Sequence, residues 1–418
     1  MGSRLPALAG VALLVAAACG SSTRTGAPSP SGSATAPLSG TATAAPSQAD
    51  LQIYATIETQ VEGLRDLQPK TPVSPTLLDE AGVRHYMENA AQTENDHVAL
   101  AMESRLFVHM GLLPAGSSLE QMEIDLQSGQ VIGFYDFVTK KLYLLSQSGG
   151  VGAMQKWTFS HEFTHALQDQ NFGLDRLAID TVDQGDRDLA RTSLAEGDAM
   201  IVTNAWTTRF MTMKDALDLL AQSQSDPSTA QLAAAPAILR GNLMFPYEQG
   251  LAFVQRIYDQ GGWPAVNALY ENPPNSSSQI LHPELYTSGV QPVTVKLPAV
   301  PSSLGSGWKL SGQDTMGEYQ LGLWLQGEHP TAAEKSAAES AVSTWAGDRI
   351  GLYEGPNGKW AVALRTTWRT VGGQVDFQGA AAIKAASLSG KSRVCGSGMG
   401  VDVILASDAA TLAAFATC

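Results

Sequence analysis

The sequence predicts a helix-rich α+β fold that begins near residue 50. Three observations carry that expectation. Apolar residues recur at helical spacing over much of 51–110 and 153–260, residues 133–145 alternate with period two, and short β-type runs mix with helical ones beyond residue 300. A chain of 418 residues with 44% hydrophobic content can bury a sizeable core. A net charge of −14 disfavours electrostatic capture of nucleic acid. With 3 Cys and 7 His, any metal site must be economical.

Residues 1–18 carry one cation, Arg4, and then an apolar run over 11–18. That run is too short to span a bilayer and suits an export signal. Ala17-Ala18-Cys19-Gly20 resembles a bacterial lipobox. The resemblance implies cleavage before Cys19, lipidation of its thiol and attachment to the extracytoplasmic face of the cell membrane. A plain secretory signal is the alternative. Residues 19–48 are mostly Ser, Thr, Ala, Gly and Pro, have little to bury and read as a disordered tether.

Two regions follow, 49–300 and a C-terminal α+β region, 301–418, packed on the first. In the first, helices are expected at 51–67, after Ser74 as N-cap with Pro75 in the first turn, and at 94–110. Residues 133–145 read as a β-hairpin, and helices return at 153–171, 187–209, 211–223 and 247–260. The Ala/Gln/Ser-rich stretch after 223 and residues 272–278 read as loops. In the second region, strands are expected at 351–353 and 360–367 and helices at 331–345 and 373–387.

His161-Glu-Phe-Thr-His165 is the decisive segment. Four-residue spacing puts both imidazoles on one helix face, able to share a metal ion. Glu162 sits at the edge of that face, where a general base for a metal-activated water belongs. Chance gives such a segment roughly 0.005 times in a chain of this composition. Phe159, Phe163 and Ala166 form a second, apolar stripe, and Gly173 lies just past the helix.

Two His leave a tetrahedral zinc one protein ligand short. Glu196, in Leu194-Ala-Glu-Gly-Asp-Ala199, is the leading third ligand, with Asp198 and His282 as alternatives. Gly197 is a poor mid-helix residue unless a neighbour approaches closely.

These segments resemble the gluzincin branch of the zincin metallopeptidases, which use two His and one Glu for zinc and a Glu as base. Within that branch the chain is similar to a group of uncharacterised secreted bacterial metallopeptidases. Gly133-Phe-Tyr-Asp136, Ala166-Leu-Gln-Asp-Gln170, Gln279-Ile-Leu-His-Pro-Glu284, Trp345-Ala-Gly-Asp-Arg349 and Thr367-Trp368 all carry the likeness. It loosens at Trp368-Arg369, where a more acidic stretch is expected. The resemblance implies a zincin-like catalytic region at 49–300, one Zn2+ per chain and a peptide or protein substrate.

An edge strand beside the zinc helix, from 133–136 or 141–145, could pair with an extended substrate. His282, Tyr247 and Tyr286 are candidates to stabilise an oxyanion, His282 first. Asp169 could orient a ligand imidazole, but the C-terminal end of its helix is the better place for it. His85, His97, His109 and His329 have no partner spacing and read as surface residues. In an exported chain, Cys395 and Cys418 form an even pair that favours a disulfide, two free thiols being the alternative. The expected function is zinc-dependent peptide hydrolysis outside the cytoplasm. A zinc-binding surface module without turnover and a zinc amidase acting on cell-wall peptide are the alternatives.

Overall fold

Two small sheets, each backed by helices, organise the chain, which is helix-rich α+β as expected. The computed structural model describes residues 46–90, 94–146, 150–179, 181–225 and 227–415. The expected signal, Cys19, most of the tether, and Cys418 with its expected bridge to Cys395 lie outside the described residues. No described helix is long and apolar enough to cross a membrane.

Helix α1 (Gln48–Arg65) opens on a capping box between Ser47 and Asp50. Strand β1 (Pro75–Leu78) follows, then α2 (Glu80–Ala90), α3 (Glu94–His109) and α4 (Leu119–Gln130). The hairpin β2 (Gly133–Asp136) and β3 (Lys141–Leu145) leads into α5 (Ala153–Phe172) and α6 (Gly185–Phe210). Next come α7 (Met213–Ser225), α8 (Pro227–Ala234) and α9 (Ala237–Glu271), the last kinked at Gly262, where φ is 62°. Short α10 (Ser277–Leu281) and α11 (Pro283–Thr287) close this half.

Two expectations fail here. The helix placed after Ser74 is instead β1, paired in parallel with β3 from Pro75↔Leu142 to Leu78↔Leu145. Proline suits a strand's first residue as well as a helix's first turn, and the pairing decides. The true helix start is Asp79, whose Oδ1 accepts the Gly82 amide at 2.7 Å. The Ala-rich stretch after 223 is α8 and the start of α9 rather than a loop, in keeping with alanine's helix propensity.

The first sheet has the order β1-β3-β2, with β2 and β3 antiparallel. Helix α5 lies against it, and its Phe159, Phe163 and Ala166 stripe enters the main core with Tyr54 and Val61 of α1. Helices α6 and α9 cross at a pair of glycines. A Cβ on Gly197 would lie 2.2 Å from the Gly250 carbonyl oxygen, and one on Gly250 2.3 Å from that of Ser193. Close approach is therefore the reason for Gly197.

The second sheet runs β4 (Lys309–Asp314), β5 (Trp345–Glu354), β6 (Trp360–Trp368), β8 (Gly400–Ala406) and β7 (Lys391–Ser397) in spatial order, all antiparallel. Helices α12 (Gly317–Gln326), α13 (Ala332–Val342), α14 (Val371–Ser387) and α15 (Ala409–Phe415) cover it. The core beneath it also takes in Leu106, Leu113 and Ile238, so the two halves share side chains.

Candidate metal centre

The four-residue spacing on α5 does bring His161 and His165 together, their Nε2 atoms 3.2 Å apart. From α6, Glu196 Oε2 lies 3.1 Å from His161 Nε2 and 3.3 Å from His165 Nε2. All three residues are at most 1% exposed. Among the described residues they are the one group of three His, Cys, Asp or Glu side chains whose ligand atoms converge within 4.8 Å.

Hydrogen bonds on the far side of each ring fix the tautomers. Gln168 Nε2 donates to the Ala195 carbonyl at 3.0 Å, which turns its Oε1 toward His165 Nδ1 at 2.8 Å. Thr203 gives its hydroxyl proton to the Ala199 carbonyl and faces His161 Nδ1 at 3.3 Å as an acceptor. Both Nδ1 atoms therefore carry hydrogen, and both neutral Nε2 atoms present lone pairs to the carboxylate. Three acceptor atoms meeting in a dry interior need positive charge between them. Without a cation only a proton can supply it. Burial opposes charge on His165, but the Glu196 carboxylate outweighs burial and brings its pKa up to about 9. Burial, with the neighbouring His165 charge, holds His161 down. Glu196 falls to about 2, because His165 and the bonds from both rings outweigh burial. The donor set of two imidazoles and one carboxylate, with second partners in place, fits zinc.

Glu162 stands beside this group at 0% exposure, with no side-chain partner and only the Tyr135 amide turned toward its carboxylate. Burial, with the Glu196 charge adding to it, pushes its pKa up to about 8, against the opposing charge of His165. Glu196 Oε1 is also buried without a partner.

Strand β2 passes close to this helix. A Cβ on Gly133 would lie 2.8 Å from the Thr158 methyl. The Leu145 amide bonds the Ile132 carbonyl at 2.7 Å, so by antiparallel alternation the main-chain N–H and C=O of Gly133 and Tyr135 point away from β3. The expected alternative, 141–145, is the central strand β3, paired on both sides, and offers no edge.

The other candidates disperse. Asp198 turns away from the triad, taking Arg65 Nε at 2.7 Å, Arg65 Nη2 at 3.0 Å and the Tyr270 hydroxyl at 2.7 Å. His282 Nε2 bonds Glu318 Oε1 at 2.7 Å and does not join the converging ligand atoms. The Tyr286 hydroxyl donates to the Asn272 carbonyl. Tyr247, by contrast, lies with its ring centroid 6.2 Å from that of His161. Asp169 serves the end of its helix, accepting from the Tyr135 hydroxyl, Lys140 Nζ and the Leu174 amide. His85, His97 and His329 are exposed. His109 is not a surface residue, since it is half-buried and stacked on Trp360 at 3.8 Å, and burial lowers its pKa to about 4. Gln168 and Thr203 were not singled out, although the i, i+3 spacing of His165 and Gln168 is readable.

Residues 308–412 match a family described as a domain of unknown function (DUF8575). The match begins just before β4 and spans the second sheet, leaving the metal centre outside it. No curated protein and no solved structure matches the chain.

Proposed function

We propose that the chain is a zinc peptidase of zincin-like fold, held by His161, His165 and Glu196, that acts outside the cytoplasm. One observation carries this reading. The Glu162 carboxyl, with no side-chain partner, is buried beside three converging ligand atoms, and the two imidazoles among them already have their outer hydrogen bonds made. A buried carboxyl so lightly bonded is uncommon in a structural core.

When bound, zinc would polarise a peptide carbonyl and acidify water. Glu162, with its raised pKa, takes a proton from water on one Oε and returns it to the leaving amine. Gln168 and Thr203 keep the two rings turned inward. Tyr247, whose ring packs beside His161, is the candidate placed to stabilise the oxyanion. The outward N–H and C=O of Gly133 and the Tyr135 carbonyl pair with an extended peptide, reading backbone rather than side chains, while the Tyr135 amide faces the Glu162 carboxylate. The export pattern and Cys19 support an extracytoplasmic, lipid-anchored location.

The test is zinc stoichiometry together with cleavage of unstructured protein and of cell-wall peptide, by wild type and Glu162→Gln. One zinc per chain in both proteins is expected, with turnover reduced about 10²–10⁴-fold in the variant. Zinc without turnover by either protein would favour a binding module. Cleavage of cell-wall amide bonds alone would favour an amidase. Absence of zinc would sink the reading.

A further inference from the structure

Trp345-Ala-Gly-Asp-Arg349, which stands out in the sequence, has no part in the metal centre. Instead it forms one wall of a cleft of about 640 Å³, within the ~300–1,000 Å³ typical of small-molecule sites. The start of α6 forms a second wall and the extended segment 292–299 a third. That segment is pinned, with the Val293 amide bonded to the Ala346 carbonyl at 2.7 Å. Gly347 permits the approach, since a Cβ there would lie 2.2 Å from the Val293 carbonyl oxygen. The cleft is thus built in advance of any ligand.

Its polar side chains are unevenly engaged. Asp348 is spent on the Met316 and Gly317 amides and the Trp345 indole, at 2.8–2.9 Å. Asp186 accepts the Ser277 amide, and burial raises its pKa to about 8, so it is largely uncharged at neutral pH. Arg349 is committed to the Asp183 carbonyl at 2.6 Å and carboxylate at 3.2 Å. Two cations are left. Arg187 has a long 3.4 Å contact with Asp188, and its Nε is buried without a partner. Lys296 is exposed and forms no ion pair among the described residues. Arg187 Nε is thus an unmet donor at this cleft, and the exposed Lys296 ammonium shares its lining. Beside it, Val293 and Leu310 leave 53% and 40% of their surfaces exposed, and both line the cleft.

We propose that this cleft binds an apolar ligand bearing a carboxylate, which Arg187 and Lys296 hold while Val293, Leu297 and Leu310 cover its body. The carboxylate can be a peptide C-terminus or an acidic side chain, and the assignment is independent of the metal centre.

Calorimetric titration of the full chain tests it with three probes: N-acetyl-Val-Leu with a free carboxylate, the same dipeptide as its amide, and N-acetyl-Val-Asp-Leu-amide. At least one carboxylate probe binds about tenfold more tightly than the amide, and which one does identifies the source of the carboxylate. Arg187→Gln and Lys296→Gln each weaken that probe about tenfold and leave the amide unchanged. Lys296 is exposed, so its variant keeps the test valid if Arg187→Gln fails to fold. Equal binding of acid and amide, no binding of either carboxylate probe at millimolar concentration, or insensitivity to both substitutions would overturn the proposal. So would loss of binding on chelation, which would move the ligand to the metal centre.

Discussion

Two acidic side chains only two residues apart on α6 are treated in opposite ways. Two residues turn a helix by roughly 200°, so Glu196 and Asp198 face nearly opposite directions. Asp198 has both oxygens bonded, and the Arg65 guanidinium that pairs with it lies 4.2 Å over the Trp263 ring, wholly buried. Glu196 keeps one buried oxygen without a partner, and its neighbour Glu162 has no side-chain partner at all. One face of the helix is charge used as architecture, with every acceptor answered. The other leaves buried acceptors partly open, which a fold does sparingly.

The contrast breaks most sharply at Arg65. Arg65→Met strands Asp198 as a buried charge and is expected to lower unfolding free energy by about 3–5 kcal/mol, measured by urea denaturation. Glu196→Gln in metal-free protein is expected to cost less, because only one Glu196 oxygen, Oε2, meets partners, whereas both Asp198 oxygens are bonded. Similar losses from the two substitutions would erase the distinction.

Gly197, between the two faces, comes next. Its missing Cβ is replaced by the Gly250 backbone, which cannot yield as a flexible side chain would. Gly197→Ala must therefore separate α6 from α9, with an expected loss of about 1–3 kcal/mol. Gly63, on α1, has nothing within 4 Å of its Cβ position, and Gly63→Ala is expected to stabilise by about 0.5–1 kcal/mol. Thermal melts of the pair separate packing from propensity.

What the sequence revealed follows the same division between near and far. The two His, Glu162 and the apolar stripe of α5 are local, fixed by helical geometry once the helix is granted. Glu196 was reachable as well, because its own helix face is small and uncharged. The Arg65–Asp198 pair spans 133 residues and left no periodic trace. Tyr247 could not be ranked above His282, since its place beside His161 depends on how α9 crosses the bundle. β1 was misread because its strand character comes from β3, more than sixty residues on. β7 and β8 went unnoticed for a related reason. Edge strand β7, Lys391-Ser-Arg-Val-Cys-Gly-Ser397, has too few apolar residues to show a buried face.

Asp186, near the start of the same helix, offers a pH test of how a buried acid without a cationic partner behaves. Burial raises its pKa from 3.8 to about 8 in the folded chain. Between those values the folded state holds a proton that the unfolded state has released, so stability falls as pH rises from about 4 toward 8. Asp186→Asn removes that slope. The variant is expected to match wild type near pH 4 and to exceed it at pH 8 by up to about 5 kcal/mol, read from melting curves. Equal curves at both pH values would mean that Asp186 is ionised and answered, like Asp198.

The finest test lies on the outer side of the two imidazoles. With zinc at the triad, as proposed, Gln168 and Thr203 do not touch the metal but set which ring nitrogen can. Gln168→Met keeps the volume and removes the acceptor for His165 Nδ1, and zinc affinity is expected to fall about 10-fold, or ~1.4 kcal/mol. Thr203→Val removes the acceptor for His161 Nδ1. It should cost less, because that contact is 3.3 Å against 2.8 Å for Gln168. Competition with a chromogenic chelator measures both. Neither substitution should alter metal-free unfolding as much as Arg65→Met does, since each leaves an imidazole N–H rather than a buried ion unanswered. If Thr203→Val proved the more damaging, His161 rather than His165 would be the ring whose orientation limits binding. The order of the two losses thus reports which imidazole the fold holds more loosely.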